Sequence, residues 1–362
     1  MKSSIFLIGC LAAAVTIGFS SCSSDEPDEI PTNEYLVPNG AYLLNQGNYS
    51  NKIEGALNVL DFDSSTMAQG VFKAANQRSL GSTPQCGIAY GAYIYIGVYE
   101  SNTIEIIDRN TYKSVKQISL EGSKQGQMPR SMAAHEGKVY VSMYDGYLAR
   151  LDTATKVIDA SVKVGPNPEI IAIHGNNIYV PNSDGMNWAV GYGTTASIVS
   201  VETFKVESTI EVPLNPYKFV SLGSSLYLLS RGDYGAVTAA VYKIESNNSA
   251  TLVAPATMVA GNPTSNSLYL VNAPWGGTVS YSLYNAATGT SSTLDIKNVD
   301  YPSGIGVDPV SGTLLISSYP LENGKASYTL PGYVCRFNSA GNYIDRFNIG
   351  VGEPCMFFTG NI

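Results

Sequence analysis

Histidine and tryptophan each occur only twice in these 362 residues, and just 14% of the residues are charged. Two histidines, His135 and His174, are too few for a multi-histidine metal centre, and both fall six residues after a proline in equivalent segments. A net charge of -8 without clustered lysine or arginine argues against nucleic acid. Five cysteines, two of them before residue 23, leave Cys86, Cys335 and Cys355 for a folded part, an odd number that allows at most one bridge. Cys86 and Cys355 are the pair whose places in the repeat described below bring them near each other. Beyond the first 20 residues no apolar run is long enough to cross a bilayer as a helix. Zinc spacing and phosphate-cradling glycine loops are missing too, and NSDGMNW lacks the spacing of a sialidase Asp-box.

What is abundant is tyrosine (25), glycine (35) and proline (18), a composition suited to many short strands and turns. The stretch PQCGIAYGAYIYIGVYES places Tyr95 eleven residues after Pro84, and the same spacing links Pro129 to Tyr140, Pro168 to Tyr179 and Pro216 to Tyr227. With Pro255, Pro302 and Pro354 these prolines recur every 39 to 52 residues, which predicts seven units. Each of the first six units opens with an apolar strand, a turn, and a second strand: YIYIG, KVYVS, NIYVP, SLYLL, SLYLV and TLLIS. A third and a fourth strand follow around a polar turn, with Asp108, Asp152 and Glu202 in equivalent places; Asp61 and Asp63 sit at such a turn in DFDSST. Four short antiparallel strands at this period predict an all-β, seven-bladed β-propeller.

Both ends of the repeat array are incomplete. Residues 353–362 offer one strand, and residues 40–73 offer a second, third and fourth. The first blade is therefore expected to be closed by N- and C-terminal strands, which removes open sheet edges. Tyrosines 42, 95, 140, 179, 227 and 269 share one register and are expected to pack between blades.

If the first strand of a blade leaves the proline end, the loop from second to third strand returns to that end. These loops each carry an aromatic, and their side chains form the candidate ligand-binding set: Tyr49, Tyr99, Glu100, Tyr144, Asp145, Asp184, Trp188, Tyr192, Arg231, Asp233, Tyr234, Trp275 and Tyr319. Rings supply contact area and polar groups fix orientation, so seven such loops around one axis point to a broad amphipathic binding face. Singly these residue types are ordinary turn formers. No catalytic set, cofactor or metal is expected; an acid–base pair among Asp145, Asp184 and Asp233 is the enzymatic alternative.

Residues 1–21 read as a signal peptide, and Phe19-Ser20-Ser21-Cys22 resembles a bacterial lipobox with Cys22 as the lipidated residue. Cys10 fits that pattern letter by letter, but few apolar residues precede it. Residues 22–38, containing SSDEPDEIPTNE, then form an acidic tether similar to the surface-export signal of Bacteroidetes lipoproteins, leaving residues 39–362 for the propeller. Membrane attachment would run through the lipid alone.

The repeats resemble the YVTN β-propeller unit, which NIYVPN at 177–182 approaches. Leader, acidic tether, seven blades and aromatic face together resemble the BtuG family of surface lipoproteins. That resemblance implies an outer-membrane, surface-exposed receptor that captures cobalamin or a related corrinoid and passes it to a transporter like BtuB. A glycan would ask for a similar surface, so a glycan-binding accessory protein stays open, as do a propeller lyase or hydrolase and a protein-binding scaffold.

Overall fold

In the computed structural model, contacts divide the chain between Glu34 and Tyr35, and the structure describes residues 37–360 of the second unit. The expected leader, Cys22 and nearly all of the tether lie outside the described residues. The described chain forms seven four-stranded antiparallel sheets, a seven-bladed β-propeller. Among the described residues no helix is long and apolar enough to cross a membrane.

Blade 1 is the shared one. Its inner strand is the C-terminal Pro354–Phe358, paired with Gly40–Asn45 from Asn45↔Pro354 to Ala41↔Phe358. Beyond the ladder, Gly40 N–H donates to Thr359 Oγ1 at 2.8 Å, and Thr359 N–H returns to Gly40 O at 3.0 Å. Blades 2 to 7 open with inner strands Pro84–Tyr90, Pro129–His135, Ala172–His174, Pro216–Leu222, Met258–Asn262 and Tyr301–Val307.

Blades meet through the alternation of their second strands. In Gly40–Asn45, Ala41 and Leu43 pack on blade 7 while Tyr42 and Leu44 pack on blade 2. The same register sends Tyr95 to blade 3, Tyr140 to blade 4, Tyr179 to blade 5, Tyr227 to blade 6 and Tyr269 to blade 7. Leu315 takes the place in blade 7. Period-two alternation thus turns one repeated tyrosine into the seal between successive blades.

Three features differ from the expectations set by the repeat, and one open point is settled. Pro255 ends the outer strand Ala250–Pro255 of blade 5, and blade 6 begins three residues later at Met258 without a proline; proline suits either end of a strand because it lacks the N–H a ladder would use. The fourth strand of blade 1 stops at Ala68; Gly70, at φ 61, turns the chain into the helix Val71–Asn76, whose Val71 and Phe72 fill the seam with blade 2. At the third-to-fourth turns, Asp61, Asp108 and Asp152 accept backbone N–H groups two or three residues ahead, but in blade 4 Ser200 does this for Thr203 and Glu202 is merely exposed. The open point is the bridge between Cys86 and Cys355, which is not formed: Cys86, Cys335 and Cys355 are all free thiols.

Candidate functional site

Four equivalent residues lead into the blade-opening prolines: Thr83, Met128, Asn167 and Asn215, with φ of 60°, 59°, 45° and 59°. Positive φ before proline is costly for such side chains, and its recurrence means the surroundings impose it. Their carbonyls accept the N–H of the first loop residue of the same blade: Tyr99 to Thr83 at 2.9 Å, Tyr144 to Met128 at 2.9 Å, Ser183 to Asn167 at 3.2 Å and Arg231 to Asn215 at 2.9 Å. The second-to-third loops are thereby tied to the proline end, as the strand order requires.

The residue after the proline is extra in the ladder. Pairing slips between Pro84 and Cys86, between Pro129 and Ser131, and between Pro216 and Lys218. Gln85, Arg130 and Tyr217 are thus bulge residues, and a bulge re-aims its side chain. In blade 4, Glu169 holds the corresponding place after Pro168 while Ile170 bridges in parallel to Lys218 of blade 5.

These side chains meet on the axis. A cavity of about 340 Å³ is lined by residues of all seven blades, blade 4 contributing Ile170 just before its inner strand. Around one side, Arg130 Nη1 donates to Gln85 Oε1 at 2.8 Å and its Nε to Glu169 Oε2 at 2.6 Å; Ser183 Oγ donates to Glu169 Oε1 at 3.3 Å. The Arg130 guanidinium also faces the Tyr144 ring at 5.5 Å, and Tyr144 meets Tyr99 edge-on at 5.9 Å. Arg231 stacks on Tyr217. The opposite side, from blades 6, 7 and 1, carries Met258, Val259, Ile305, Met356 and Phe357, with Gln46, Thr257 and Glu353 as its polar members. The cations gather on one wall, and the other is mostly apolar.

Water reaches Glu353 and Lys218, yet protein atoms crowd both, as in a wet funnel. Burial raises the Glu353 carboxyl above its ordinary value despite Arg231, Arg130 and Lys218 nearby. Burial likewise lowers the Lys218 ammonium. Beside them, burial pushes the Cys355 thiol up to about 11.

The structure divides the sequence-derived candidates into three groups. Tyr99, Tyr144 and Arg231 reach the ionic wall. Burial, with Glu353 next, pushes the Tyr319 hydroxyl up; Tyr319 packs on Tyr328 at 4.8 Å. Trp188, Tyr234, Trp275 and Tyr49 stand at 69%, 68%, 87% and 63% exposure on the loops, with Tyr192 edge-on to Tyr234 at 5.9 Å. The four acids have local roles or none: Asp233 Oδ1 accepts Gly235 and Val237 N–H at 2.8 Å each, Asp145 accepts Gln127 N–H at 3.0 Å, Asp184 accepts Asn187 Nδ2 at 3.2 Å, and Glu100 is exposed. His135 and His174 close the far ends of inner strands, His174 Nδ1 lying 2.9 Å from Ser221 Oγ.

Sequence reasoning missed Gln85, Arg130, Glu169, Tyr217, Lys218 and Glu353. For Gln85, Arg130, Glu169 and Tyr217 the available signal was their place directly after a repeated proline; Lys218 and Glu353 carried no such mark.

Two solved structures share the fold. A chain of Kuenenia stuttgartiensis hydrazine synthase matches with TM-score 0.60 at 13% identity over 79% of this chain and 90% of that one. A structural-genomics protein from Lactobacillus plantarum matches with TM-score 0.61 at 13% identity over 88% and 99%. At such identity the likeness concerns the propeller alone. No curated protein matches in sequence. A family profile described as a domain of unknown function, DUF5074, matches residues 39–355, and the chain belongs to that family.

Proposed function

We propose that this propeller is a non-catalytic receptor for a bulky amphipathic nutrient, cobalamin or a related corrinoid, held at the cell surface by lipidated Cys22 and handing its cargo to an outer-membrane transporter. The observation that carries the reading is the pairing of exposed rings on the proline-end loops with an axial cavity that is ionic on one side and mostly apolar on the other. A corrinoid offers an apolar ring face and a rim of amides, which asks for a broad aromatic surface and convergent hydrogen-bonding groups rather than a deep slot. The acids first considered for catalysis sit in turns, which weakens the hydrolase reading; Glu169 is held by Arg130 and Ser183.

Incubation of the purified protein with cobalamin, desalting and a visible spectrum of the protein fraction test this directly. Retained corrinoid absorption supports the receptor. Colourless protein overturns it, and product release from a polysaccharide panel would move the assignment to an enzyme.

A further inference from the structure

The ionic wall is not electrically complete. Arg130 is committed to Glu169 and Gln85, but among the described residues Lys218 and Arg231 have no carboxylate within ion-pair distance. Lys218 Nζ has a single protein acceptor, Val259 O at 2.9 Å, which leaves two of its three donors unused. Arg231 has the Tyr217 ring beneath it, which offers its charge a face but its N–H groups no acceptor. Glu353 lies in the field of all three cations without touching any of them.

A second observation is independent of charge. Gln85 Nε2 is buried with no hydrogen-bond partner. Its orientation is dictated, because Arg130 Nη1 needs the oxygen and so turns the amide nitrogen away. A buried donor without an acceptor is costly, and so are two crowded cations that touch no carboxylate and share only the field of Glu353. They share one cavity, and all are donors.

We propose that the wall formed by blades 2 to 5 is an oxyanion site, where Lys218 and Arg231, with Gln85 Nε2 as a neutral donor, receive a carboxylate or phosphate group. The inference deepens the proposed function, on which it rests only for the ligand's approach from the aromatic face: the anionic end goes to the ionic wall, and the apolar body lies toward Met258, Ile305 and Met356. The protein is net acidic, so a cationic patch at the base of the funnel also favours entry of an anion over the surrounding surface.

The test uses small anions alone, so that it does not depend on any corrinoid. Inorganic phosphate and succinate are titrated into the full chain by calorimetry at constant ionic strength set with sodium chloride. Saturable binding of either is expected, and the one that binds identifies the group. Lys218→Met and, separately, Arg231→Gln should weaken it at least tenfold, whereas Lys297→Gln, at an exposed ion pair with Asp295, should not. Without anion, Lys218→Met should melt no lower than the native chain, because it removes a crowded charge that has no ion-pair partner; a purely structural lysine would give the opposite. Absence of saturable binding, or unchanged binding in both cavity variants, overturns the site. Corrinoid retention with no small-anion binding overturns this inference and leaves the receptor reading standing; anion binding without corrinoid retention does the reverse.

Discussion

The guanidinium carbon of Arg231 sits 3.4 Å from the centroid of the Tyr217 ring. Arg231 is the first loop residue of its blade and Tyr217 the bulge residue of the same blade, so the contact joins the two registers from which the ionic wall is made. Tyr217→Phe keeps the ring face and should hold ligand affinity within a few tenths of a kcal/mol, while Tyr217→Ala should lose about 1–2 kcal/mol as Arg231 loses its platform. Calorimetry with whichever ligand binds decides it. Equal losses for the two variants would mean that the hydroxyl, not the ring, matters.

Glu353 gives a pH dependence with a defined sign. Its folded-state carboxyl is raised above the ordinary 4.5, so between that value and the raised one the native state holds more protons than the unfolded chain. Stability contributed by this group therefore falls as pH rises through that window. Glu353→Gln should match the native chain at pH 4 and exceed it at pH 7 in urea denaturation. A variant that is relatively weaker at pH 7 would reverse the sign and refute the assignment.

The interblade tyrosines share a register but not a hydrogen-bonding state. Tyr269 OH donates to Ser339 O at 2.6 Å, whereas Tyr95 OH is buried without a partner. Tyr269→Phe should cost about 1 kcal/mol, and Tyr95→Phe should be neutral or stabilising, because it removes a polar group whose desolvation nothing offsets. Thermal melts of the two variants provide the comparison, and a larger loss for Tyr95→Phe would contradict it.

Closure is testable by truncation. Ending the chain after Gly352 removes the inner strand Pro354–Phe358 and leaves Gly40–Asn45 as an open edge over a buried seam. The melting temperature should drop far more than for a trimmed terminus, with association through the exposed edge visible by light scattering. A monomeric protein with unchanged melting would mean that blade 1 does not depend on its C-terminal strand.

The blades were legible because packing repeats: a proline at the start of the inner strand and a tyrosine eleven residues on, inside the second strand, belong to one recurring hairpin. Pro255 shows the limit, since proline is as much at home at the end of an outer strand as at the start of an inner one. The loops were legible for the same reason of repetition, but Asp233 and Asp145 could not be told from ligand contacts, because a turn and a binding site recruit the same residue types. The funnel was hidden differently. Gln85, Arg130 and Tyr217 read as ordinary strand positions under strict alternation; only the bulge after each proline aims them at the axis, and a one-residue slip of register leaves no mark in composition.

The aromatic loops and the far end of the propeller offer the last contrast. Trp188 and Trp275 are 69% and 87% exposed, so replacing either with alanine removes little packing and should leave the melting temperature within a degree or two. If these rings hold the ligand, each change should nevertheless weaken cobalamin binding by about 1–3 kcal/mol, as expected for aromatic anchors that become buried only in a complex. His135 and His174 lie at the other ends of the inner strands, and His135→Ala and His174→Ala should leave affinity unchanged. Asp233→Asn keeps an acceptor for the Gly235 and Val237 N–H groups, so it should alter binding little, whereas an enzyme that used this carboxylate would lose turnover outright. Titrating all five variants against cobalamin separates the outcomes: equal sensitivity at both ends, or none at the tryptophans, would take the ligand away from the aromatic face.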